Sequence, residues 1–388
     1  MKKLFALLWI CVLCVGLLAF NLFTAPSEQS EGRGNASAVS DEQSPSNAPD
    51  DSKDPQVPAQ VRIRSTDPAL TTAWKQLGRK YSEQTGVDVV VFGENDTQSP
   101  TLYTVSDASE ISPEQCQDLS ATAAFGQLAD MGLALKLDGK YCAIAMEIDC
   151  FGLIFNENLL AEMVTQEEIR DINGFSALVQ GIVAKGYAPF AGRSLNDGVA
   201  TRLASIPGNF RTLAQLWGEN AVGQPEGAPL DRFLSGEAVF YLGSTDEYDE
   251  LVSGGIDAMG ILPIFLDQQE GSYVQQSLCI TAKRYWCVNA DASAKDLAAT
   301  LDFLDWLVTP QKDGTVPVDT LEVLTPYRQA KFYANPLENT LRMDLSSGKT
   351  PVVCRNLTQP PIGFVEALTA YAQDPTEENW NQIEAFLQ

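Results

Sequence analysis

The spacing of apolar residues predicts a helix near the start of the folded chain. The residues that would form its buried face recur at i, i+4, i+7 and i+11: Leu70, Trp74, Leu77 and Tyr81. Asp67 is predicted to cap this helix, Pro68 to occupy its first position and Gly86 to end it. Strand patterns flank it, VRIRS from Val61 and VDVVVF up to Phe92. Strand, helix and buried strand in this order predict a right-handed parallel unit of an α/β domain.

The rest of the folded chain alternates between strand and helix patterns. The segment YCAIAMEIDCFGLIF is predicted to be extended, and residues 278–288 are predicted to form a strand pair or hairpin. Shorter strands are predicted at 238–242 and 258–264, and helices at 158–164, at 174–185 and before Pro310. A last helix is predicted to start with a capping-box-like arrangement at Asp374, Pro375 and Glu377.

The N-terminus carries an apolar segment followed by a polar one. Lys2 and Lys3 precede the uncharged run Leu4–Phe23, which as a helix would span about 30 Å, enough for a bilayer core. We therefore predict a signal or anchor segment over 1–25, with the rest of the chain outside the membrane. A cleaved signal peptide is the alternative, and the protein would then be secreted. Residues 26–60 lack aromatic side chains and are predicted to form a disordered linker.

Charge and composition narrow the classes of function. The chain of 388 residues has 26 Lys and Arg against 51 Asp and Glu, a net charge of -25, which disfavours nucleic acid as a partner. It contains no histidine, so Ser-His-Asp and Cys-His catalysis and most zinc sites are excluded. We expect neither a metal nor a cofactor. Catalysis by a pair of carboxylates stays open.

Six of the eight cysteines follow the apolar run, and four of them form two pairs with the same spacing. Cys142/Cys150 and Cys279/Cys287 are each eight positions apart. In a hairpin that turns midway, each pair would face each other and be bridged. The alternative is that they are small buried thiols.

Six segments beyond residue 140 resemble, in the same order, segments of one family. They read AIAMEIDCFGLIFNENLL, GFSALVQGIVAKGYAPFAG, FLSGEAVFYLGS, MGILPIF, YWCVNADASAKDLAATLDFLDWLVTPQ and SSGKTPVV. On these segments the chain resembles the extracellular solute-binding proteins of ABC transporters, in the carbohydrate-binding, maltose-binding-protein-like group. The resemblance implies an α/β periplasmic-binding-protein-like fold, in which two lobes joined by hinge strands close on a ligand.

The resemblance also implies domain limits, a location and partners. Lobe one would comprise 61–146 and 273–325, and lobe two 151–268 and 328–388. The protein would be a monomer without enzymatic activity, held on the outer face of the cytoplasmic membrane. It would bind a mono- or oligosaccharide and deliver it to ABC permease subunits.

Two acidic residues on the predicted crossing segment are candidate ligand contacts. Glu147 matches a position where the resembled group uses an acidic side chain to accept sugar hydroxyls. Asp149 would share its strand face, since residues i and i+2 point the same way. The structural alternative is that each carboxylate pairs with a backbone amide or a lysine.

Aromatic and loop residues complete the candidate site, because sugars stack on flat aromatic faces and bond to polar groups. The aromatic candidates are Tyr285, Trp286 and Phe364, the last two with core packing as the alternative. Loop candidates in lobe two are Asn196, Asp197, Thr245 and Asp246. The last two stand where the resembled group places a stacking aromatic residue, which leaves the sugar unidentified.

Two other functions fit the same residues. The acidity of the chain, with Glu147, Asp149 and Asp246, also suits a receptor for polyamines or another cationic solute. A glycoside hydrolase that uses two carboxylates is the alternative from a different class. A receptor that signals rather than transports would have the same sequence features.

Overall fold

The fold begins with the predicted parallel strand-helix-strand unit. The computed structural model describes residues 58–161, 169, 171–191, 197–221, 229–267 and 276–387. Strand β1 (Gln60–Arg64), helix α1 (Pro68–Thr85) and strand β2 (Asp88–Phe92) follow one another, and the two strands pair in parallel. The Asp67 carboxylate accepts the N–H of Ala69 at 2.9 Å, and Gly86 ends the helix in the left-handed conformation at φ 77°. The prediction from apolar spacing and caps is confirmed.

The other elements alternate along the chain. The strands are β3 Leu102–Val105, β4 Ala134–Leu137, β5 Lys140–Asn156, β6 Ala188–Phe190, β7 Ala238–Ser244, β8 Met259–Leu262, β9 Gln276–Val288 and β10 Thr350–Val353. The helices are α2 Ala123–Gly126, α3 Glu157–Ala161, α4 Ile172–Ala184, α5 Asp197–Ser205, α6 Arg211–Ala221, α7 Pro229–Leu234, α8 Tyr248–Ser253, α9 Ala294–Val308, α10 Pro336–Ser346, α11 Phe364–Gln373 and α12 Glu377–Leu387.

Two long strands, β5 and β9, organise a sheet of ten strands, seven of which follow the order β2-β1-β3-β9-β5-β7-β6, while β4, β8 and β10 pair beside this path. At one end β9 pairs with β3 and β5 pairs with β4, and these strands with β1 and β2 form the first half of the sheet. At the other end β9 pairs with β10, and β5 pairs with β7 and β8, which form the second half together with β6. The chain thus crosses between the halves along both strands.

The predicted hairpin at residues 278–288 is wrong, because β9 is one continuous strand. The run between Cys279 and Cys287 contains no glycine, proline, asparagine or aspartate that would favour a turn. Cys142 and Cys150 likewise lie in the single strand β5. Eight residues of strand span about 26 Å, whereas a disulfide needs its Cα atoms within roughly 7 Å. Neither predicted bridge forms, and the six cysteines of the described chain are buried free thiols.

Two apolar clusters fill the interior. One contains Trp74, Trp286 and Phe303 of the first half and continues without a break into Phe233 and Tyr241 of the second half. The other lies on the opposite face of the second half, and its aromatic side chains include Phe175, Phe210, Phe240 and Trp380. Phe240 and Tyr241 are neighbours in β7, so they point to opposite faces and enter different clusters.

The last helix starts two residues later than predicted. Helix α12 begins at Glu377, and the hydroxyl of Thr376 accepts the N–H of Asn379 at 3.3 Å. Thr376 therefore caps the helix in place of Asp374, since a threonine hydroxyl serves this role as well. Pro375 lies outside the helix.

The apolar run at the N-terminus, Leu4–Phe23, and residues 26–57 of the linker predicted over 26–60 lie outside the described residues. In the part of the chain that the structure describes, each helix is too short or too polar to cross a bilayer.

Candidate functional site

The register of the sheet leaves a gap along the middle of β9. Strand β3 runs antiparallel to β9 and ends with Val105 opposite Tyr285. Strand β10 runs parallel to β9 from the other direction and ends with Val353 opposite Ile280. The segment of β9 between these two positions has no neighbour on this edge from either strand. The carboxyl ends of β3 and β10 therefore point towards each other along the same edge of β9.

A central cavity of about 870 Å³ opens at this gap, with one wall from each half of the sheet. The first-half wall is formed by Ser106, Asp107, Ala108, Asp130, Gly132, Leu135 and Tyr285. The second-half wall is formed by Pro207, Leu266, residues 351–356 and Thr358. The two walls are far apart in sequence, so their residues meet only in the folded chain.

Two carboxylates on the first-half wall are held by short turns. Asp107 follows β3 and forms a capping box with Glu110, its carboxylate accepting the N–H of Ser109. These hydrogen bonds, from the side chain and the backbone of Ser109, hold the pKa of Asp107 below its usual value. Asp130 accepts the N–H of Gly132 at 2.7 Å. Within the described chain neither carboxylate forms an ion pair, so both present negative charge to the central cavity.

The second-half wall presents hydrogen-bond donors. Arg355, just beyond β10, donates from Nη2 to the carbonyls of Ala204 and Phe386. Its Nε is buried without a hydrogen-bond partner, and no described carboxylate pairs with it. Asn356 beside it is exposed and donates from Nδ2 to the carbonyl of Ala282 at 3.2 Å. The second-half wall therefore carries a cationic group and an amide, whose Nη2 and Nδ2 groups donate to backbone carbonyls.

Tyr285 is a predicted site residue, and among the predicted site residues with described side chains it is the one that lines the central cavity. Its side chain is 7% exposed, and burial raises the pKa of its hydroxyl, with the charge of Asp107 contributing. Trp286, the next residue, points to the other face and is completely buried. It stacks on Tyr327 with ring centroids 5.7 Å apart and meets Trp74 edge-on. Trp286 thus packs as a core residue, the alternative given for it from the sequence.

Glu147 and Asp246 belong to a chain of ion pairs, which we call the ion chain. It runs from Asp67 to Arg284 (2.8 Å), from Arg284 to Glu147 (2.8 Å), from Glu147 to Lys283 (3.4 Å) and from Lys283 to Asp246 (3.0 Å). The Glu147 side chain is 9% exposed, whereas that of Asp246 is 54% exposed. The acidic residue of the crossing segment is therefore paired with two cations of β9. Its role in ligand binding stays a prediction.

Three other predicted site residues with described side chains are not part of the cavity lining: Asp149, Thr245 and Phe364. Asp149 accepts the hydroxyl of Ser244 at 2.6 Å, and burial raises the pKa of its carboxyl group. Thr245 is completely buried. Phe364 is also buried and meets Phe386 edge-on at the start of α11. Asn196 and the side chain of Asp197 lie outside the described residues.

Asp107, Asp130, Arg355 and Asn356 were not predicted from the sequence. Asp107 has one local signal, the spacing Asp107-x-x-Glu110 of a capping box, but this indicates a turn and not a ligand contact. Arg355 and Asn356 follow a short strand pattern, and nothing local distinguishes them from other loop residues. Together the two walls offer acceptors on one side, donors on the other and an aromatic edge, an arrangement suited to a polar molecule rich in hydroxyl groups.

Comparison with known proteins relates this architecture to solved structures. No protein-family model and no curated protein matches the sequence. The cyclic α-maltosyl-1,6-maltose binding protein of Arthrobacter globiformis is 14% identical, with a TM-score of 0.59 over 85% of this chain and 99% of that chain. Apo RafE of Streptococcus pneumoniae is 12% identical, with a TM-score of 0.57 over 86% and 98%. A family 1 extracellular solute-binding protein of Bifidobacterium longum subsp. infantis is 14% identical, with a TM-score of 0.56 over 85% and 98%. These matches extend over nearly the whole of each neighbour, and the chain therefore has the two-lobed α/β fold of the extracellular solute-binding proteins.

Proposed function

We propose that this protein is an extracellular solute-binding receptor of an ABC importer, which captures a carbohydrate between its two lobes and catalyses no reaction. The fold supports this proposal, and one structural neighbour is by its name a binding protein for a cyclic maltosyl-maltose. The observation that carries it is the central cavity, whose walls come from the two halves of the sheet. A ligand that contacts both walls is bound fully only when the lobes are together, so ligand shifts the equilibrium towards closure.

The chemistry of the walls favours a neutral sugar. Each sugar hydroxyl both donates and accepts, so it can bond to Asp107 or Asp130 on one side and to Arg355 or Asn356 on the other. Hydrogen bonds to charged groups are stronger than those between neutral groups. Tyr285 supplies an apolar ring edge for the C–H groups of a pyranose.

The same proposal includes the limits of the lobes, the location of the protein and its partner. In this proposal the lobes comprise 61–146 with 273–325 and 151–268 with 328–388, and β5 and β9 cross between the halves. The N-terminal segment exports the chain, either as an uncleaved membrane anchor or as a cleaved signal. A permease would recognise the closed form, and the receptor acts as a monomer.

Calorimetric titration of the full-length protein with a panel of mono- and oligosaccharides tests this function. We expect saturable binding to the wild type and a loss of about tenfold or more in affinity for Tyr285→Ala, since aromatic anchors dominate such sites. Tyr333→Ala is the matched control, because Tyr333 is 46% exposed and lies outside the cavity lining. If no saccharide binds, the proposed function is wrong; if both variants bind a saccharide equally well, the ligand does not contact Tyr285. Release of reducing sugar would instead identify a glycoside hydrolase.

A cationic solute such as a polyamine is the second candidate, favoured by the unpaired carboxylates Asp107 and Asp130. Two negative charges on one wall would attract an ammonium group, and this attraction would be screened by salt. Titration with spermidine at low and high salt separates the candidates. A polyamine receptor loses affinity steeply as salt rises, whereas binding of a neutral sugar hardly changes.

A further inference from the structure

The ion chain passes through both crossing strands. Its first member, Asp67, caps α1 in the first half, and its last, Asp246, follows β7 in the second half. The middle members lie where β5 and β9 pair between the halves: Glu147, Lys283 and Arg284. Its four contacts are 2.8 to 3.4 Å long, so each charge lies within ion-pair distance of the next.

An irregularity in the sheet creates this arrangement. The register between β5 and β9 shifts on both sides of Glu147, and Lys283 has no partner in the ladder there. A bulge of this kind re-aims side chains and interrupts pairing. It lets Glu147 contact two consecutive residues, Lys283 and Arg284, which a regular strand would point to opposite faces.

We propose that the ion chain is a latch that stabilises the orientation of the two halves seen here and opposes their separation in the ligand-free protein. This inference rests on the proposed closure mechanism. Rotation about the crossing strands would lengthen the Lys283–Asp246 or Asp67–Arg284 contact, because the outer residues of the chain move with opposite halves. Lys283 and Asp246 are 40% and 54% exposed, so the latch is weakened by salt and opens easily.

Two variants remove the outer charges of the ion chain without disturbing the fold. Asp246→Asn acts at the exposed end in the second half. Asp67→Asn acts in the first half and keeps the cap of α1, since asparagine caps as well as aspartate. Asp249→Asn is the matched control, because Asp249 is an exposed carboxylate three positions from Asp246 that forms no ion pair within the described chain.

The measurement is the distance between the halves in ligand-free, full-length protein. Spin labels are attached to genetically encoded ketone amino acids at the exposed positions Glu83 and Glu366, which leaves the native thiols unmodified. Double electron–electron resonance then measures the distance between the two labels. We expect Asp246→Asn and Asp67→Asn to shift the distribution to longer distances, as about 500 mM NaCl does for the wild type relative to about 20 mM. We expect the affinity for sugar to fall about two- to fivefold, because a smaller fraction of the ligand-free protein has the orientation of the halves that binds sugar.

The control variant should behave as the wild type in both measurements. If Asp246→Asn and Asp67→Asn leave the distances and their salt response unchanged, the latch does not exist. Failure of the proposed function gives a different result, since wild-type protein would then bind no saccharide whatever the distances between its halves.

Discussion

A buried guanidinium fixes the third connection between the two halves. The chain returns from the first half to the second between Thr325 and Asn335, and Arg342 of α10 holds this segment. Its Nε donates to the carbonyl of Phe332 at 2.6 Å, and its Nη1 donates to the carbonyls of Thr325 at 2.6 Å and Tyr327 at 3.4 Å. Arg342 is 6% exposed, and burial lowers the pKa of its guanidinium to about 10, so it stays charged at neutral pH.

Arg342→Met would remove the donor from the carbonyls of Thr325 and Phe332, whereas the carbonyl of Tyr327 would keep the N–H of Ala330. Each lost hydrogen bond costs about 1 kcal/mol, while the cost of burying a charge is recovered, which gives a net loss of about 2–4 kcal/mol. A chain of this size loses about 2 °C in Tm for each kcal/mol, so we expect Tm to fall by about 4–8 °C. The Tm of Arg342→Lys should lie between those of the wild type and Arg342→Met, since lysine keeps the charge but not the planar set of donors.

Thermal unfolding followed by circular dichroism measures this difference. Arg211→Met is the matched control, because the Arg211 side chain is 33% exposed and pairs with the 69% exposed Glu377. The exposed pair contributes at most about 1 kcal/mol, and the hydrogen bond from Arg211 Nε to the hydroxyl of Tyr371 about as much, so the control should lower Tm by no more than about 4 °C. Equal shifts in the two variants would refute the reasoning that Arg342 stabilises the third connection.

Three further outcomes follow from buried groups. Burial raises the pKa of Asp149, so the folded state binds its proton more tightly than the unfolded state does. The free energy of unfolding therefore falls as the pH rises above the ordinary pKa of a carboxyl group. Asp149→Asn should therefore raise Tm at pH 7 and lose this gain near about pH 4; an equal gain at both pH values would contradict it. Trp286→Ala should lower the free energy of unfolding by about 3–5 kcal/mol in urea titrations, and a loss below about 1 kcal/mol would place this side chain outside the core. Reducing agent should leave Tm unchanged. Ellman's reagent should react only after unfolding with the six buried thiols, which are Cys116, Cys142, Cys150, Cys279, Cys287 and Cys354.

Local signals predicted the fold where the determinants are local. The cap at Asp67, the apolar face of α1 and the stop at Gly86 all lie within one helix, and the structure reproduces them. Strand β9 was mistaken for a hairpin because an apolar run without turn residues does not tell how far a strand continues. Its length depends on partners from β3 and β10, which lie far away in sequence.

The central cavity was only partly predictable. Tyr285 and Trp286 are adjacent aromatic residues, and the sequence does not reveal which of the two strand faces meets the core. Asp107 and Arg355 are brought together by the ends of two strands that are separated by most of the chain. Such a pairing is set by the topology of the sheet, so residue types and spacing do not predict it.

The unbroken apolar cluster that runs from Trp74 to Tyr241 means that neither lobe is an independent folding unit. A fragment cut between the halves would expose one side of this shared interior to water, and we expect it to aggregate rather than fold. Calorimetry of the whole protein should accordingly give one melting transition for both lobes. In the proposed function the two lobes move as separate bodies, but we expect each to depend on the other for folding.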